Sequence, residues 1–500
     1  MNTPRIYHIV LALLGGILSV AGFAPWNLFA LPVLALALLF WLYTQNDNAR
    51  RCAGIGFAFG LGMFGAGISW IYVALHDYGN MPIFLALLAT LLFAAFLALF
   101  PALAGYLQAK IKSPLWLRLS LLIPALWVAA ELLRGYFLSG FPWLTLGYTQ
   151  IPESPLLGYA PILGVYGVSL ALAISAGLLT MIVRLRWNTQ GKAATAALLI
   201  LWTGGAALRM LEWTQAEGAP TKISLLQGNI AQDEKFAESQ LVTTLETYRR
   251  LTLQSDARLI VFPETALPLL REELPESYLS ILRDHARQQD GDVLIGAFTR
   301  EHALYFNSMF SIGSARSQTY HKSHLVPFGE FIPLRPVFGW LINDVLDIPM
   351  SDLSSGGTHQ ALLSLAGQRI AMNICYEDVF GEEIARALPQ ATLLLNASND
   401  AWYGNSAAAM QHNQISQMRA LETGRMMLRA TNTGVSSVIG RDGRIQHMLA
   451  QHQEGTLTAL IQGYSGSTPY IFWGNTALLA LLLAILAMAW RIHRKMALPE

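Results

Sequence analysis

Apolar positions along the chain follow two different rhythms, and the change comes near residue 215. Before it, and again close to the C-terminus, long runs carry almost no charge. A bilayer core of about 30 Å takes roughly 20 apolar residues in helical form, because a helix satisfies its own backbone there. Eight runs meet that description, at about 7–23, 27–44, 53–75, 82–108, 116–134, 160–183, 193–210 and 471–490. The first has the length of a signal peptide core, but a second apolar run follows directly after Gly22-Phe23-Ala24-Pro25-Trp26, which marks it as an anchor. The fourth is expected to tilt or break near Pro101.

Between about 215 and 465 the period shortens. Runs rich in β-branched residues (Ile223–Gln227, Leu259–Phe262, Val293–Phe298, Tyr305–Ile312, Arg369–Ile374, Thr392–Asn396, Val435–Ile439, Thr456–Ile461) alternate with helical patterns at Glu234–Arg250, Tyr278–Gln288 and Gln411–Arg429. Asp442-Gly443 is a hairpin signal between two of the later strands. A region of about 250 residues is long enough for its own core, and this alternation predicts an α/β domain with sheets covered by helices. The expected organisation is therefore 1–214 with seven membrane helices, 215–465 as an inserted α/β domain, and 466–500 as an eighth membrane helix with a short tail.

Composition agrees with a membrane protein: of 500 residues 53% are hydrophobic and 13% charged, too apolar for an ordinary soluble enzyme. Basic residues fall on alternate loops. Arg5, Arg50 and Arg51, Lys110, Lys112 and Arg118, Arg184, Arg186 and Lys192, and Arg491, Arg494 and Lys495 all belong to one side, whereas the loops His76–Asn80 and Gly140–Pro155 contain no lysine or arginine. Positive loops face the cytoplasm, so both termini are expected inside and the 215–465 domain outside the cytoplasmic membrane. A net charge of +1 offers no basic surface for nucleic acid.

The two cysteines, Cys52 and Cys375, exclude a disulfide framework. Cys52 opens an apolar run beside Arg50 and Arg51 and reads as a structural thiol. Cys375 closes the β-patterned run Ala371-Met372-Asn373-Ile374 and is followed by Tyr376-Glu377-Asp378. A lone cysteine there is either a buried inert thiol or a nucleophile. A nucleophilic cysteine needs a base for its proton and positive charge for the oxyanion. Glu264, at the end of Leu259-Ile260-Val261-Phe262-Pro263, is a candidate base; Lys322 is a candidate oxyanion partner, with the backbone N–H after Cys375 as a second donor. Singly, the glutamate and the lysine have a plainer meaning as solvated turn residues. His321, His324 and His412 lack the compact spacing of a metal site, so neither metal nor other cofactor is expected.

Strand-Glu264, Lys322-x7-Glu330 and strand-Cys375, in that order, resemble the carbon–nitrogen hydrolase (nitrilase) superfamily, which implies an α-β-β-α sandwich and gives Glu330 an orienting or proton-sharing role. Gly22-Phe23-Ala24-Pro25, Gly65-Ala66-Gly67-Ile68-Ser69-Trp70, Glu131-Leu132-Leu133-Arg134, Gly140-Phe141-Pro142-Trp143-Leu144, Asn399-Asp400-Ala401-Trp402-Tyr403-Gly404 and Arg429-Ala430-Thr431-Asn432-Thr433-Gly434 are similar to the bacterial apolipoprotein N-acyltransferase family. That resemblance covers essentially the whole chain. It implies a multi-pass inner-membrane enzyme whose periplasmic domain moves an acyl chain from a phospholipid, through a Cys375 thioester, to the amine of a diacylglyceryl apolipoprotein. Tyr376 and Glu377 are expected to shape the pocket. Phe331–Gly357, with Trp340, is unusually apolar for an irregular segment and is either satellite core or a lid toward the bilayer. Phe141, Trp143, Trp402 and Tyr403 are either interface aromatics or pocket walls. Phe236 and Ala407-Ala408-Ala409 depart from the family pattern of tryptophan and Gly-Pro at those places. A membrane-tethered amidase and a non-catalytic transport or binding protein are the competing expectations.

Overall fold

A computed structural model describes residues 6–186, 188–332 and 352–497. The chain divides into two compact units, one formed by residues up to Tyr72, Phe84–Glu212 and the part from Phe472 on, the other by Val73–Ile83 and Trp213–Ile471. In the first unit every apolar run meets a helix. Ile83–Lys110, Leu115–Tyr136, Pro155–Leu185, Thr189–Leu208 and Thr476–Met496 are long and apolar enough to cross a bilayer; a sixth results if Ala49–Gly67 and Ile71–Tyr78 form one broken span. Ile6–Val20 and Ala30–Thr44 are apolar but shorter, at 15 residues each. The helix Ile83–Lys110 runs through Pro101 without interruption.

These helices turn large apolar side chains outward: Phe84 is 82% exposed, Ile200 71% and Leu92 59%. Each such side chain left in water forgoes about 1.5–3 kcal/mol of burial, so lipid rather than water is the medium that suits them. Cys52 is buried here, its thiol donating to the Asn46 carbonyl at 3.5 Å.

The described strands of the second unit are β1 (Thr214–Gln227), β2 (Leu259–Val261), β3 (Leu267–Leu270), β4 (Asp292–Glu301), β5 (Leu304–Gly313), β6 (Thr319–His321), β7 (Leu363–Leu365), β8 (Gln368–Ile374), β9 (Leu393–Ser398), β10 (Met427–Thr431), β11 (Ser437–Ile439), β12 (Ile445–Met448) and β13 (Gly455–Gly466). They make two sheets, ordered β13-β1-β2-β4-β5-β6 with β3 beside β4, and β12-β11-β10-β9-β8-β7. Each sheet has a parallel centre, β1-β2-β4 in one and β8-β9-β10 in the other. Parallel strands are covered on both faces, and adjacent residues accordingly enter different cores. Leu225, Val261 and Leu294 join Ile374, Leu395 and Leu428 in one cluster fed by both sheets. Leu226, Ile260 and Ile295 instead pack with Tyr248 and Leu251 of the helix Glu238–Leu253 and with Leu279 and Leu282 of the helix Glu276–Gln288. Ala371, Leu394 and Met427 pack with Ile384 of Gly381–Ala385 and Ala420 of Ala408–Thr423.

One expected helix is corrected. The pattern through 411–429 predicts a helix, but the helix Ala408–Thr423 stops at Gly424, which adopts a left-handed φ of +62° and donates its N–H to the Ala420 carbonyl. Met427–Thr431 then becomes β10, so Arg429 stands on a strand. A strand buried on both faces shows no alternation, and its apolar run is indistinguishable from a buried helix face. The helix expected from residue 234 starts at Glu238. The Asp442-Gly443 turn joins β11 and β12 as antiparallel neighbours, as its sequence predicts.

Candidate active site

The candidate residues leave their strands close to the carboxyl ends. Glu264 follows β2 and Pro263, Cys375 follows Ile374 at the end of β8, Lys322 follows His321 at the end of β6, and Asn399 and Asp400 follow β9. Open parallel sheets present functional groups at that end. The turn carrying Glu264 lies against β4, where a Cβ on Gly296 would come within 2.0 Å of the Pro263 carbonyl oxygen and 2.8 Å of the Thr265 nitrogen. Only glycine permits that approach.

Glu264, Lys322 and Cys375 are 5%, 1% and 7% exposed. The Lys322 ammonium donates to Glu264 Oε1 at 3.1 Å and to Glu330 Oε1 at 2.9 Å. Asn307 Nδ2 bridges the same two carboxylates, at 2.7 Å from Glu264 and 3.1 Å from Glu330. Glu264 Oε2 accepts the Asn399 N–H at 2.8 Å, and Glu330 Oε2 accepts the Val326 N–H at 2.9 Å. Burial raises the Glu264 carboxyl most strongly, but Lys322, Lys235 and the Asn307 hydrogen bond together hold it below its ordinary value. Burial lowers the Lys322 ammonium, and the charges of Glu264 and Glu330 overcome that and raise it well above the usual lysine value. Carboxylate and ammonium are both ionised at neutral pH.

The thiol is placed in the opposite state. Burial first and Glu264 second push Cys375 above its ordinary value, against the pull of Lys322. The thiol and the carboxylate thus stand in the protonation states that a proton transfer between them requires. Cys375 also holds a left-handed φ of +53°, unfavourable for a residue with a Cβ, and strain of this kind is kept where surrounding structure over-determines it. Its carbonyl accepts from Asn396 Nδ2 at 3.0 Å, with His412 Nε2 at 3.3 Å.

Glu377, two residues after Cys375, accepts four donors: the N–H groups of Ser323 and His324 on Oε1, and the Ile374 N–H and Tyr320 hydroxyl on Oε2. Burial raises it to about 7, restrained by those backbone bonds. The folded state thus holds a proton that the unfolded chain releases near 4.5. Stability contributed by this group is full below the unfolded value and falls as the pH rises through about 7. Thermal unfolding of Glu377→Gln is expected to show a flatter dependence on pH between about 4.5 and 7 than the parent protein.

Four fully buried ionisable groups brace the same turn. His412 places Nε2 2.8 Å from Asp378 Oδ1 and Nδ1 2.9 Å from Asp400 Oδ1. Arg429 reaches the other oxygens, Asp378 Oδ2 at 3.2 Å and Asp400 Oδ2 at 2.8 Å. A neutral imidazole has one donor, and two carboxylates require two, so His412 is an imidazolium. The quartet then holds two positive and two negative charges. Burial and Arg429 lower the imidazole value, but Asp378 and Asp400 raise it further, and the net shift is upward. Removing one partner strands a buried charge: Arg429→Met is expected to lose roughly 3–5 kcal/mol of stability, measured by thermal or denaturant unfolding.

Two family models match, one described as Apolipoprotein N-acyltransferase N-terminal domain over residues 15–178 and one as Carbon-nitrogen hydrolase over residues 222–470. The chain is 49% identical over 478 residues to the Apolipoprotein N-acyltransferase of Nitrosomonas europaea, covering 95% of each protein. It is 42% identical over 498 residues to that of Methylococcus capsulatus, covering 98% of this chain and 97% of the relative. The chain belongs to the apolipoprotein N-acyltransferase family.

In this apolipoprotein N-acyltransferase family member, the structure brings Glu264, Lys322 and Glu330 into direct contact in the second unit, with Cys375 under the electrostatic influence of Glu264 and Lys322. Tyr376 packs edge-on to Phe380 at 5.4 Å between ring centroids. Trp402 packs edge-on to Tyr78 at 6.2 Å, and Tyr403 is raised first by burial and then by the charge of Cys375. Phe141 and Trp143 belong to the first unit, where Phe141 meets Phe93 and the buried Trp143 meets Trp70. Trp340 and most of the apolar segment around it lie outside the described residues. Sequence reasoning gave no site role to Asn307, Asn399, the quartet or Lys235, although Asn399, Asp400 and Arg429 stand in segments similar to the family. Lys235 is 2% exposed, and its ammonium donates to Thr265 Oγ1 at 2.7 Å and the Glu264 carbonyl at 3.4 Å. Its only signal was position beside Phe236 in a run already compared with the family. Among the described residues no group of three or more His, Cys, Asp or Glu side chains is arranged to hold a metal ion.

Proposed function

We propose that this protein transfers an acyl chain from a membrane phospholipid to the N-terminal amine of the diacylglyceryl-cysteine of an apolipoprotein, in two half-reactions joined by a thioester on Cys375. The observation that carries the proposal is the Glu264–Lys322–Glu330 array beside a buried, protonated cysteine in a strained turn. Glu264 takes the thiol proton as the sulfur attacks the ester carbonyl. The tetrahedral oxyanion is stabilised by Lys322 and the N–H after Cys375; collapse expels the lysophospholipid alkoxide, which takes the proton back from Glu264. The neutral amine of the acceptor then attacks the thioester, Glu264 accepts the amine proton, and the thiol leaves with it. Glu330 shares the Lys322 ammonium and keeps it aligned.

The eight apolar segments span a bacterial cytoplasmic membrane with both termini inside, and the domain 215–465 is an α-β-β-α sandwich on the periplasmic side. The distribution of lysine and arginine among the loops supports the orientation. The division of apolar side chains into one cluster fed by both sheets and two fed by a sheet and its helices supports the four layers. Trp402 and Tyr403 form part of the acyl pocket.

The test is product analysis with acyl-labelled phospholipid and a diacylglyceryl-cysteine peptide. The expected products are lysophospholipid and a peptide labelled on its α-amine, with none formed from an N-acetylated peptide. Release of labelled fatty acid without amide would identify a hydrolase and overturn the transfer.

A further inference from the structure

Two carboxylates compete for one lysine at the centre of the site. Lys322 donates to Glu264 at 3.1 Å and to Glu330 at 2.9 Å, so its single positive charge already faces two negative ones. The covalent step adds a thiolate and then an oxyanion to the same enclosure. With Lys322 alone, the resting site carries one uncompensated negative charge, and forming a thiolate there is penalised by burial. The neighbouring quartet does not relieve this, because Asp378, Asp400, His412 and Arg429 neutralise one another.

We infer that Lys235 is a charge-balancing positioning residue for the covalent step: it supplies the second positive charge that leaves Lys322 free to stabilise the thiolate and the oxyanion. This rests on the acyl-transfer function proposed above. Lys235 is buried, and its ammonium grips the turn directly after the Glu264 side chain, through the Glu264 carbonyl and the Thr265 hydroxyl. Thr265 itself has a left-handed φ of +44°, so the lysine also fixes a turn that needs fixing. The segment that brings it in is tied to the site at several points. Asn229 N–H donates to the Asn432 carbonyl at 3.0 Å, and Asn399 Nδ2 donates to Gln232 Oε1 at 2.7 Å. The titratable groups that act on Lys235 are Glu264 and Cys375, the two partners in the proposed proton transfer.

With Lys235 protonated, the charges of Glu264, Glu330, Cys375, Lys322 and Lys235 sum to zero, and moving the proton from Cys375 to Glu264 leaves that sum unchanged. Burial lowers Lys235 to about 8 against the upward pull of Glu264 and Cys375, so its charge is present at neutral pH and is lost above about 8.

The experiment is single-turnover thioester formation on the intact protein with phospholipid alone, followed by mass across pH 6 to 10 or so, for wild type, Lys235→Met and Thr265→Val. Wild type is expected to lose rate on the alkaline side with a midpoint near 8. Lys235→Met is expected to react about 10²-fold more slowly at neutral pH and to lack that midpoint. Thr265→Val keeps the lysine but removes its 2.7 Å acceptor, and its midpoint is expected to move to lower pH, which tests the inference even if Lys235→Met does not fold. Wild-type rate and profile in folded Lys235→Met, or an unmoved midpoint in Thr265→Val, would overturn the role of Lys235 while leaving acyl transfer intact. Absence of any thioester on wild type would instead remove the function on which it rests.

Discussion

Cys375→Ala is expected to abolish thioester formation and to lower acyl transfer by roughly 10³- to 10⁶-fold, the range seen when a covalent nucleophile is removed from an otherwise intact site. The fold is expected to survive. What holds the turn at residue 375 is its backbone carbonyl, gripped by Asn396 and His412, and alanine retains that carbonyl. The strained φ of +53° is equally tolerable for alanine, and the lost sulfur lies at the edge of a cluster that Ile374, Leu395 and Leu428 fill independently. Unfolding temperature and transfer activity measured on the same preparation separate the two effects. A variant that kept transferring acyl chains at a tenth of the wild-type rate would show that the thiol is not the nucleophile.

Glu264→Gln is expected to slow thioester formation by about 10²- to 10⁴-fold, the usual contribution of a positioned general base. Its carboxylate oxygens accept from Lys322 and Asn307 on one side and from the Asn399 N–H on the other. An amide offers one acceptor oxygen, so either Lys322 or Asn399 then faces an N–H₂ group, and the variant loses its base and disturbs the oxyanion partner together. Because Lys322, Lys235 and Asn307 together hold Glu264 below its ordinary value, the wild-type rate is expected to keep its base well into the acidic range. The variant is expected to show no acidic limb attributable to residue 264. A rate within threefold or so of wild type, in a folded variant, would assign the proton transfer elsewhere.

How far the sequence alone carried this account depended on whether a feature is local. A run such as Ile83–Lys110 has one physical explanation at its length and apolarity, and each predicted span meets a helix. Glu264, Lys322 and Cys375 were singled out because each follows an expected strand and their order resembles a family pattern; singly, none of them was distinctive. β10 was misread because full burial erases the alternation that distinguishes a strand. The short strands β3, β6, β7 and β12 carry too few residues to show a period at all. The quartet was invisible for another reason: Asp378, Asp400, His412 and Arg429 come from four separate elements, and nothing in their spacing announces that they meet. Lys235 is the same case, since it lies 30 residues from the Thr265 hydroxyl it binds. Charged residues in loops are ordinarily solvated, and only tertiary structure reveals one that is buried.

The central claim is the covalent acyl-enzyme, and intact-mass measurement of the protein incubated with phospholipid and no acceptor tests it most directly. The account predicts a gain of one acyl chain on wild type and none on Cys375→Ala. Hydroxylamine should discharge the adduct, and so should a diacylglyceryl-cysteine peptide that emerges N-acylated. A folded wild-type protein that gains no mass and releases no lysophospholipid would contradict the account.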